Sequence, residues 1–302
     1  MRTLVIVSQD KSDIFFANQL AKSLDVVGIV VENQIPPRDR SSLAKKSLKY
    51  LSQPGVFVRK VFEVLDRRLI DKHQDYNRPE NSLDFGEEGR ALNTAYDLPV
   101  LHTRGVNGIN DPENVEWIRR LQPQVIAVCG ASILRAELLG IPPYGVLNLH
   151  GGLAQFYRGL FTTDWAIHNA EPECVGATVH FVSPGVDDGD VVYQGRPVIE
   201  PGDQPNSLYE KVVRLGVQMM IRAITDLERS TSRPVKLETK GRLYLNNMFD
   251  TGAKRRTWRQ IRNGVIADYL DNRSERDARI EAALINDFNA VAPPRAHLAT
   301  AD

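Results

Sequence analysis

The chain has 302 residues, 42% hydrophobic and 25% charged, and its 38 Lys and Arg are matched by 38 Asp and Glu. That balance excludes a general electrostatic footprint for nucleic acid, leaving local basic patches at most. Two cysteines, Cys129 and Cys174, are too few for a disulfide framework or a metal cluster, and no apolar run approaches the ~20 residues needed to span a bilayer.

The N-terminus reads as a strand over residues 3–8 rather than a signal segment, so a cytoplasmic protein is expected. Residues 13–24 have helical spacing through Phe16, Leu20 and Leu24, and residues 25–32 form a valine-rich second strand. This βαβ opening argues for a parallel sheet. Pro36 and Pro37 then break the pattern. Residues 38–97 are expected to be an insertion or lid, with charged helices over 41–51 and 56–70 and a polar loop over 74–88. Its cations Arg38, Arg40, Lys45, Lys46, Lys49, Arg59 and Lys60 form either an anion site or a solvated helix face.

From Pro99 the core pattern resumes, with a strand at 99–102. Asp111-Pro112 opens a helix, Asp as N-cap and Pro in the first turn. An apolar strand covers 125–129, where Cys129 packs as a small hydrophobe. A short helix covers 133–139, and Gly145-Val146-Leu147-Asn148-Leu149-His150 forms the next strand. Residues 162–170 are helical, and strands are expected at 176–182 and from 191. Ser207 and Glu210 form a capping box opening a helix that runs to 228, buried through Leu208, Val212, Leu215, Met219, Ala223 and Leu227. Beyond Pro234 lie a short strand at 242–245 and one amphipathic helix over 258–270. The tail from 292 is expected to be disordered. The boundaries are therefore 1–233 for the main domain and 234–302 for a small C-terminal extension.

The chemistry concentrates in the 145–150 strand. Alternate side chains point the same way, so Asn148 and His150 face one side together. An amide and an imidazole there can serve a carbonyl that becomes an oxyanion, and the acidic run Val186-Asp187-Asp188-Gly189-Asp190 can supply a carboxylate. Alone, an Asn-x-His strand is a weak signal, because a lone histidine on an apolar strand is more often a hydrogen-bonded core residue. His168 and His180 read as surface or strand residues, none of the six histidines shows a metal-ligand spacing, and no glycine fingerprint for a dinucleotide follows the first strand.

The ordered set raises the odds. Asn148-Leu149-His150 is followed by Leu153, Tyr157-Arg158-Gly159, Trp165, Gly176-Ala177-Thr178-Val179-His180 and Val186-Asp187-Asp188-Gly189. Over residues 124–199 this string resembles the 10-formyltetrahydrofolate-dependent formyltransferases, which include glycinamide ribonucleotide, methionyl-tRNA and sugar N-formyltransferases. The resemblance implies an α/β, Rossmann-like, mostly parallel sheet with a helical insertion and a small C-terminal appendage. It implies a catalytic trio of Asn148, His150 and Asp187, with 10-formyltetrahydrofolate as co-substrate and no metal. Its folate site corresponds to Gly130, Ala131, Ser132, Ile133 and Leu134 on one side and Val182, Pro184 and Gly185 on the other. Tyr157 and Arg158 would bind the acceptor, although a pairing of Arg158 with a core carboxylate fits the sequence equally well.

Two departures bear on the acceptor. The family's Ser-Leu-Leu-Pro run after the histidine is replaced by Gly152-Leu153-Ala154-Gln155, and the glycine-rich phosphate loop after the first strand, typical of glycinamide ribonucleotide formyltransferases, is absent. The expectation is therefore a small-molecule amine acceptor, a nucleotide-linked amino sugar or a natural-product amine. Transfer RNA is disfavoured by the neutral charge and by a C-terminal part that looks helical rather than barrel-like. The same residues would also suit a formyltetrahydrofolate hydrolase or a non-catalytic folate-binding protein. No membrane partner is expected, and a homodimer is compatible with the chain.

Overall fold

The computed structural model describes residues 1–33, 84–183 and 185–291, together with the helical positions 55, 57–58, 61–62 and 64–65. The cations expected between Arg38 and Lys60, Pro184, and the tail from 292 lie outside the described residues.

Among the described residues there are nine strands: β1 Thr3–Ser8, β2 Val26–Asn33, β3 Val100–Arg104, β4 Val125–Cys129, β5 Val146–His150, β6 Tyr157–Gly159, β7 Ala177–Phe181, β8 Val191–Gly195 and β9 Arg242–Tyr244. Seven make one sheet in the order β3-β2-β1-β4-β5-β7-β8, and β6 and β9 pair separately. The five from β3 to β5 run parallel, whereas β7 and β8 run antiparallel at the edge. Parallel strands need cover on both faces and so read as unbroken apolar runs. β1 and β4 do: every residue of each is buried.

Alternation sorts these side chains into two cores. Val5, Val7, Ala127, Leu147 and Leu149 face a large cluster with residues of the helices Lys11–Ser23 and Pro205–Glu228, among them Phe16, Leu20, Leu208, Val212 and Met219. Leu4, Ile6, Ile126, Val128 and Val146 face the second, closed by Ile118 of the helix Pro112–Arg120 and Leu138 of the turn of helix Ala136–Leu139. Each such side chain, fully buried, contributes on the order of 1.5–3 kcal/mol. Asn148 and His150 share Val146's side of β5, and so stand on this second face.

The C-terminal extension is part of the first core. Phe249, Ala253, Val265, Ile266, Tyr269, Ile280 and Phe288 all belong to the large cluster. Charged pairs lock it down: buried Glu173 accepts from Arg276 at 2.7 Å and Arg279 at 3.3 Å, and Arg196 pairs with Asp277.

Three local expectations are corrected. The helix expected over 258–270 is two helices, Thr251–Arg262 and Val265–Asp271, split by the turn at Asn263 and Gly264. The long helix begins at Pro205, so Ser207 lies inside its first turn, where its hydroxyl accepts from the Gln204 N–H at 2.9 Å. The helix expected over 133–139 is only Ala136–Leu139. The stretch 84–97 packs on the first helix, where Asn18 donates to the Glu88 and Ala91 carbonyls at 2.6 and 2.8 Å and Phe85 packs on Phe15.

Candidate active site

β5 and β7 build the floor of the site. Their antiparallel register sets Asn148 opposite His180 and His150 opposite Thr178. Directly opposed residues of an antiparallel pair project to the same face, so Asn148, His150 and His180 converge. The loop between β7 and β8 then folds back over that face and brings in Asp187. Its Oδ2 lies 3.3 Å from His150 Nδ1, and its Oδ1 lies 3.5 Å from both His180 Nε2 and Asn148 Nδ2.

The hydrogen bonds fix how each ring sits. His150 Nε2 donates to the Tyr157 carbonyl at 2.8 Å, leaving Nδ1 as the edge that faces Asp187. Both partners are acceptors, an arrangement that an imidazolium satisfies on both sides. His180 Nδ1 donates to the Phe181 carbonyl at 2.8 Å, and its Nε2 lies 3.2 Å from the Asn148 amide and 3.5 Å from Asp187 Oδ1. The NH2 of Asn148 thus faces inward between His180 and Asp187, and donates to Asp187 Oδ1 at 3.5 Å.

Asp187 is the electrostatic centre. Burial by itself would raise its carboxyl, but the His150 imidazole, then His180 and the Gly159 N–H, outweigh burial and hold it well below the usual carboxylate range. The Gly159 N–H donates to Oδ2 at 2.8 Å. The Asp187 backbone stands at φ 47°, in the left-handed region. For a non-glycine residue this costs on the order of 1–3 kcal/mol and persists only where surrounding contacts impose it.

β6 is the brace for both groups, since Tyr157 carries the carbonyl that holds His150 and Gly159 the amide that holds Asp187. The rebuilt loop before it has physical reasons. A Cβ on Gly152 would stand 2.8 Å from His150 Nε2, so a side chain there would displace the ring. Gln155 pairs reciprocally with Gln194, at 2.9 and 2.5 Å, and donates to the Ala283 carbonyl at 3.0 Å, tying the loop to the C-terminal segment.

The residues assigned to folate divide between two loops. Ala131 and Val182 pack on the second core, which also contains Leu134, so both loops approach the same face of the sheet. The Ser132 N–H donates to buried Glu32 at 2.6 Å, the Asn107 N–H to the Ser132 hydroxyl at 3.1 Å, and the Asn110 amide to the Ile133 carbonyl at 2.9 Å. Gly130 and Gly185 are exposed. Apolar side chains stand open to solvent on these loops: Ile133 is 73% exposed and Val186 41%. A flat, partly apolar ring would cover them, so the residues suit a pterin.

The two residues assigned to the acceptor behave differently from a free ligand pair. The Tyr157 side chain is buried, its ring stacks on Tyr244 and its hydroxyl bonds to Glu171 and Asn169. Arg158 donates to the Gly241 carbonyl at 2.9 Å and to the Val186 carbonyl at 3.0 Å, so it joins two backbone segments. His180, read from the sequence as an ordinary strand residue, is a member of the cluster. The signal that could have found it is its place two residues after Thr178 on a strand antiparallel to β5, but register is not legible without the pairing. A cavity of about 660 Å³ lies elsewhere, lined by Glu171, Glu173, Arg276 and Arg279 among others. Its carboxylate Glu173 is already paired with the two arginines, and two of its lining residues, Glu171 and Asn169, bond to the Tyr157 hydroxyl.

Comparison with known proteins identifies the relatives of this arrangement. A family profile described as formyl transferase matches residues 83–224. The methionyl-tRNA formyltransferase of Caldanaerobacter subterraneus subsp. tengcongensis is 32% identical over 136 residues, 45% of this chain and 44% of that protein. That of Syntrophus aciditrophicus is 32% identical over 192 residues, 62% of this chain and 60% of that protein. The chain spans about half the length of the curated relatives it matches. Among solved structures, a 4-N formyltransferase from Francisella tularensis aligns with a TM-score of 0.50 at 16% identity, over 82% of this chain and 78% of that one. At that identity the likeness speaks for the fold alone.

Proposed function

We propose that this chain, whose residues 83–224 match a formyl transferase profile, is a formyltransferase that transfers a formyl group from 10-formyltetrahydrofolate to the amino group of a small molecule, a nucleotide-linked amino sugar or another natural-product amine. The observation that carries the reading is the convergence of Asn148, His150 and Asp187, with the carboxylate 3.3 Å from the imidazole and 3.5 Å from the amide on one sheet face.

In such a transfer the acceptor nitrogen attacks the formyl carbon, and the bond from that carbon to the folate nitrogen breaks. The amine loses one proton and the folate nitrogen gains one. The formyl donor supplies the carbon; the protein supplies position and charge. The Asn148 amide, exchanging its long 3.5 Å bond to Asp187 for the substrate, meets the charge that develops on the formyl oxygen, and loss of one such donor costs roughly 10²–10³ in rate. With Nε2 of His150 committed to the Tyr157 carbonyl, only its Nδ1 edge can serve the reacting groups. The Nδ1–H is shared between Asp187, at a loose 3.3 Å, and the oxygen. Asp187 balances the charge on the ring and takes the amine proton through water. The loops 130–134 and 182–187 hold the pterin, by backbone groups and by Ile133 and Val186.

A small acceptor fits the C-terminal segment, which between Thr251 and Val291 is built of helices among the described residues. One observation favours a second reading, methionyl-tRNA as acceptor: Arg255, Arg256, Arg259 and Arg262 are exposed on the helix Thr251–Arg262, a basic stripe that phosphates could cover. A panel of amines, including nucleotide-linked amino sugars and methionyl-tRNA, incubated with the folate donor and read by mass spectrometry, tests both. Gain of one formyl group on a small amine supports the first reading. Formylation of methionyl-tRNA alone, with a steep salt dependence, replaces it with the second.

A further inference from the structure

The brace that holds His150 and Asp187 is itself held by the C-terminal extension. Among the described residues β6 pairs only with β9, from the C-terminal extension, in parallel register Tyr157 to Arg242, Arg158 to Leu243 and Gly159 to Tyr244. The Gly241 N–H donates to the Ala154 carbonyl at 2.9 Å, Arg242 N–H to Phe156 at 3.2 Å, and Leu160 N–H to Tyr244 at 2.9 Å.

The same arm grips the Asp187 loop on either side of the carboxylate. Before it, the Val186 carbonyl accepts from Arg158 Nη1 at 3.0 Å, while Nε of that guanidinium donates to Gly241 of the arm at 2.9 Å. After it, Asp188 accepts from Lys240 of the arm at 2.8 Å and from Ser183. Between the two ties, Asp187 stands in its left-handed conformation. A residue held away from its relaxed backbone geometry needs such ties to stay in place.

We infer that Arg158 and Lys240 are positioning residues: with the arm at residues 240–244 they form a clamp that sets Asp187, and through it His150, for reaction. The inference rests on the assignment of Asn148, His150 and Asp187 to formyl transfer. Neither cation bonds to the trio: Arg158 acts through the Val186 carbonyl and Lys240 through the Asp188 carboxylate. Lys240 and Asp188 form a pair at the surface, with side chains 48% and 15% exposed. Surface pairs contribute little to global stability, so their removal tests position rather than folding. Arg158 spans two carbonyls with a planar fork that a lysine, a point donor, cannot reproduce.

The experiment compares wild type with Arg158→Lys, Lys240→Ala and Asp188→Asn, each checked for an unchanged melting temperature. A misplacement of the acid–base pair by about 1 Å lowers turnover by up to roughly 10²-fold. The clamp predicts a fall in kcat of at least tenfold in Arg158→Lys, with acceptor KM and folate affinity within about twofold of wild type. Lys240→Ala and Asp188→Asn should lower kcat equally, and the double variant no further, because they remove one interaction. The ring N–H resonance of His150, read by nitrogen–proton correlation, should broaden or shift in all three. Unchanged kcat together with an unchanged His150 resonance overturns the inference, as does a rise in acceptor KM at constant kcat, which would make Arg158 a substrate ligand. If wild type transfers no formyl group while the resonance still responds to the substitutions, the assignment of the reaction fails and the clamp stands. Should Arg158→Lys not fold, the Lys240–Asp188 cycle carries the test alone.

Discussion

At the level of single side chains, two buried aspartates titrate in opposite senses. Asp187 is pulled down by its imidazole partners; Asp13, near the end of β1, is pushed up from 3.8 to about 6, chiefly by burial, despite hydrogen bonds from Ser8 and Ser12. A carboxyl whose folded value lies above its unfolded one binds more protons folded than unfolded between the two, so stability declines as pH rises from about 4 to about 6. The shift corresponds to roughly 3 kcal/mol at most. Asp13→Asn should therefore gain stability over wild type across that window and hold a constant difference above pH 7, as measured by urea unfolding at several pH values. A difference independent of pH would remove the assignment. For catalysis, Asn148→Ala, His150→Ala and Asp187→Ala should each lower turnover by roughly 10²-fold or more with folding intact. His180→Ala should also lower turnover, because it frees the Asn148 amide to rotate; normal activity in that variant would show that His180 only fills space. Asn148 and His150 were legible in the sequence because strand alternation is a local rule. His180 was not: its partner is 32 positions away, and only the antiparallel register sets them side by side.

At the level of elements, the parallel strands announced themselves as apolar runs, and β1 and β4 lie where those runs do. What the sequence hid were contacts between distant short segments. β6 and β9 are three residues each, too short for any periodicity, and their pairing decides how His150 and Asp187 are held. Gly159 is the tightest point of that pairing: it stands at φ 88°, and a Cβ there would lie 2.2 Å from the Tyr244 carbonyl oxygen. Gly159→Ala should therefore cost about 1–3 kcal/mol of stability and most of the turnover, because the same residue donates to Asp187. Calorimetry and a formyl-transfer assay on the one variant check both; an active variant with wild-type stability would mean that β9 can be displaced without consequence. The single helix expected over 258–270 failed for a related reason. Its apolar side is real, with Trp258, Val265 and Ile266 buried, but the turn at Gly264 reorients the second half while keeping that side inward.

At the level of the molecule, zero formal net charge conceals an uneven distribution, with exposed arginines gathered on the helix Thr251–Arg262. Composition averages over such a stripe, which is why the acceptor could not be read from it. Among the described residues no helix is long and apolar enough to cross a membrane. Folate binding should raise the melting temperature by mass action, and the rise should survive His150→Ala, since in the proposed function the imidazole serves the transfer and the loops 130–134 and 182–187 serve the pterin. NAD should give no such rise. The central claim is that this chain moves a formyl group, and the most direct measurement is a mass-spectrometric amine panel with 10-formyltetrahydrofolate, run side by side for wild type and His150→Ala. The account predicts that wild type adds one formyl group to at least one amine and that the folded variant does so at least about 100-fold more slowly. Equal formylation by both proteins, or consumption of the folate donor with no acceptor gaining mass, would contradict it.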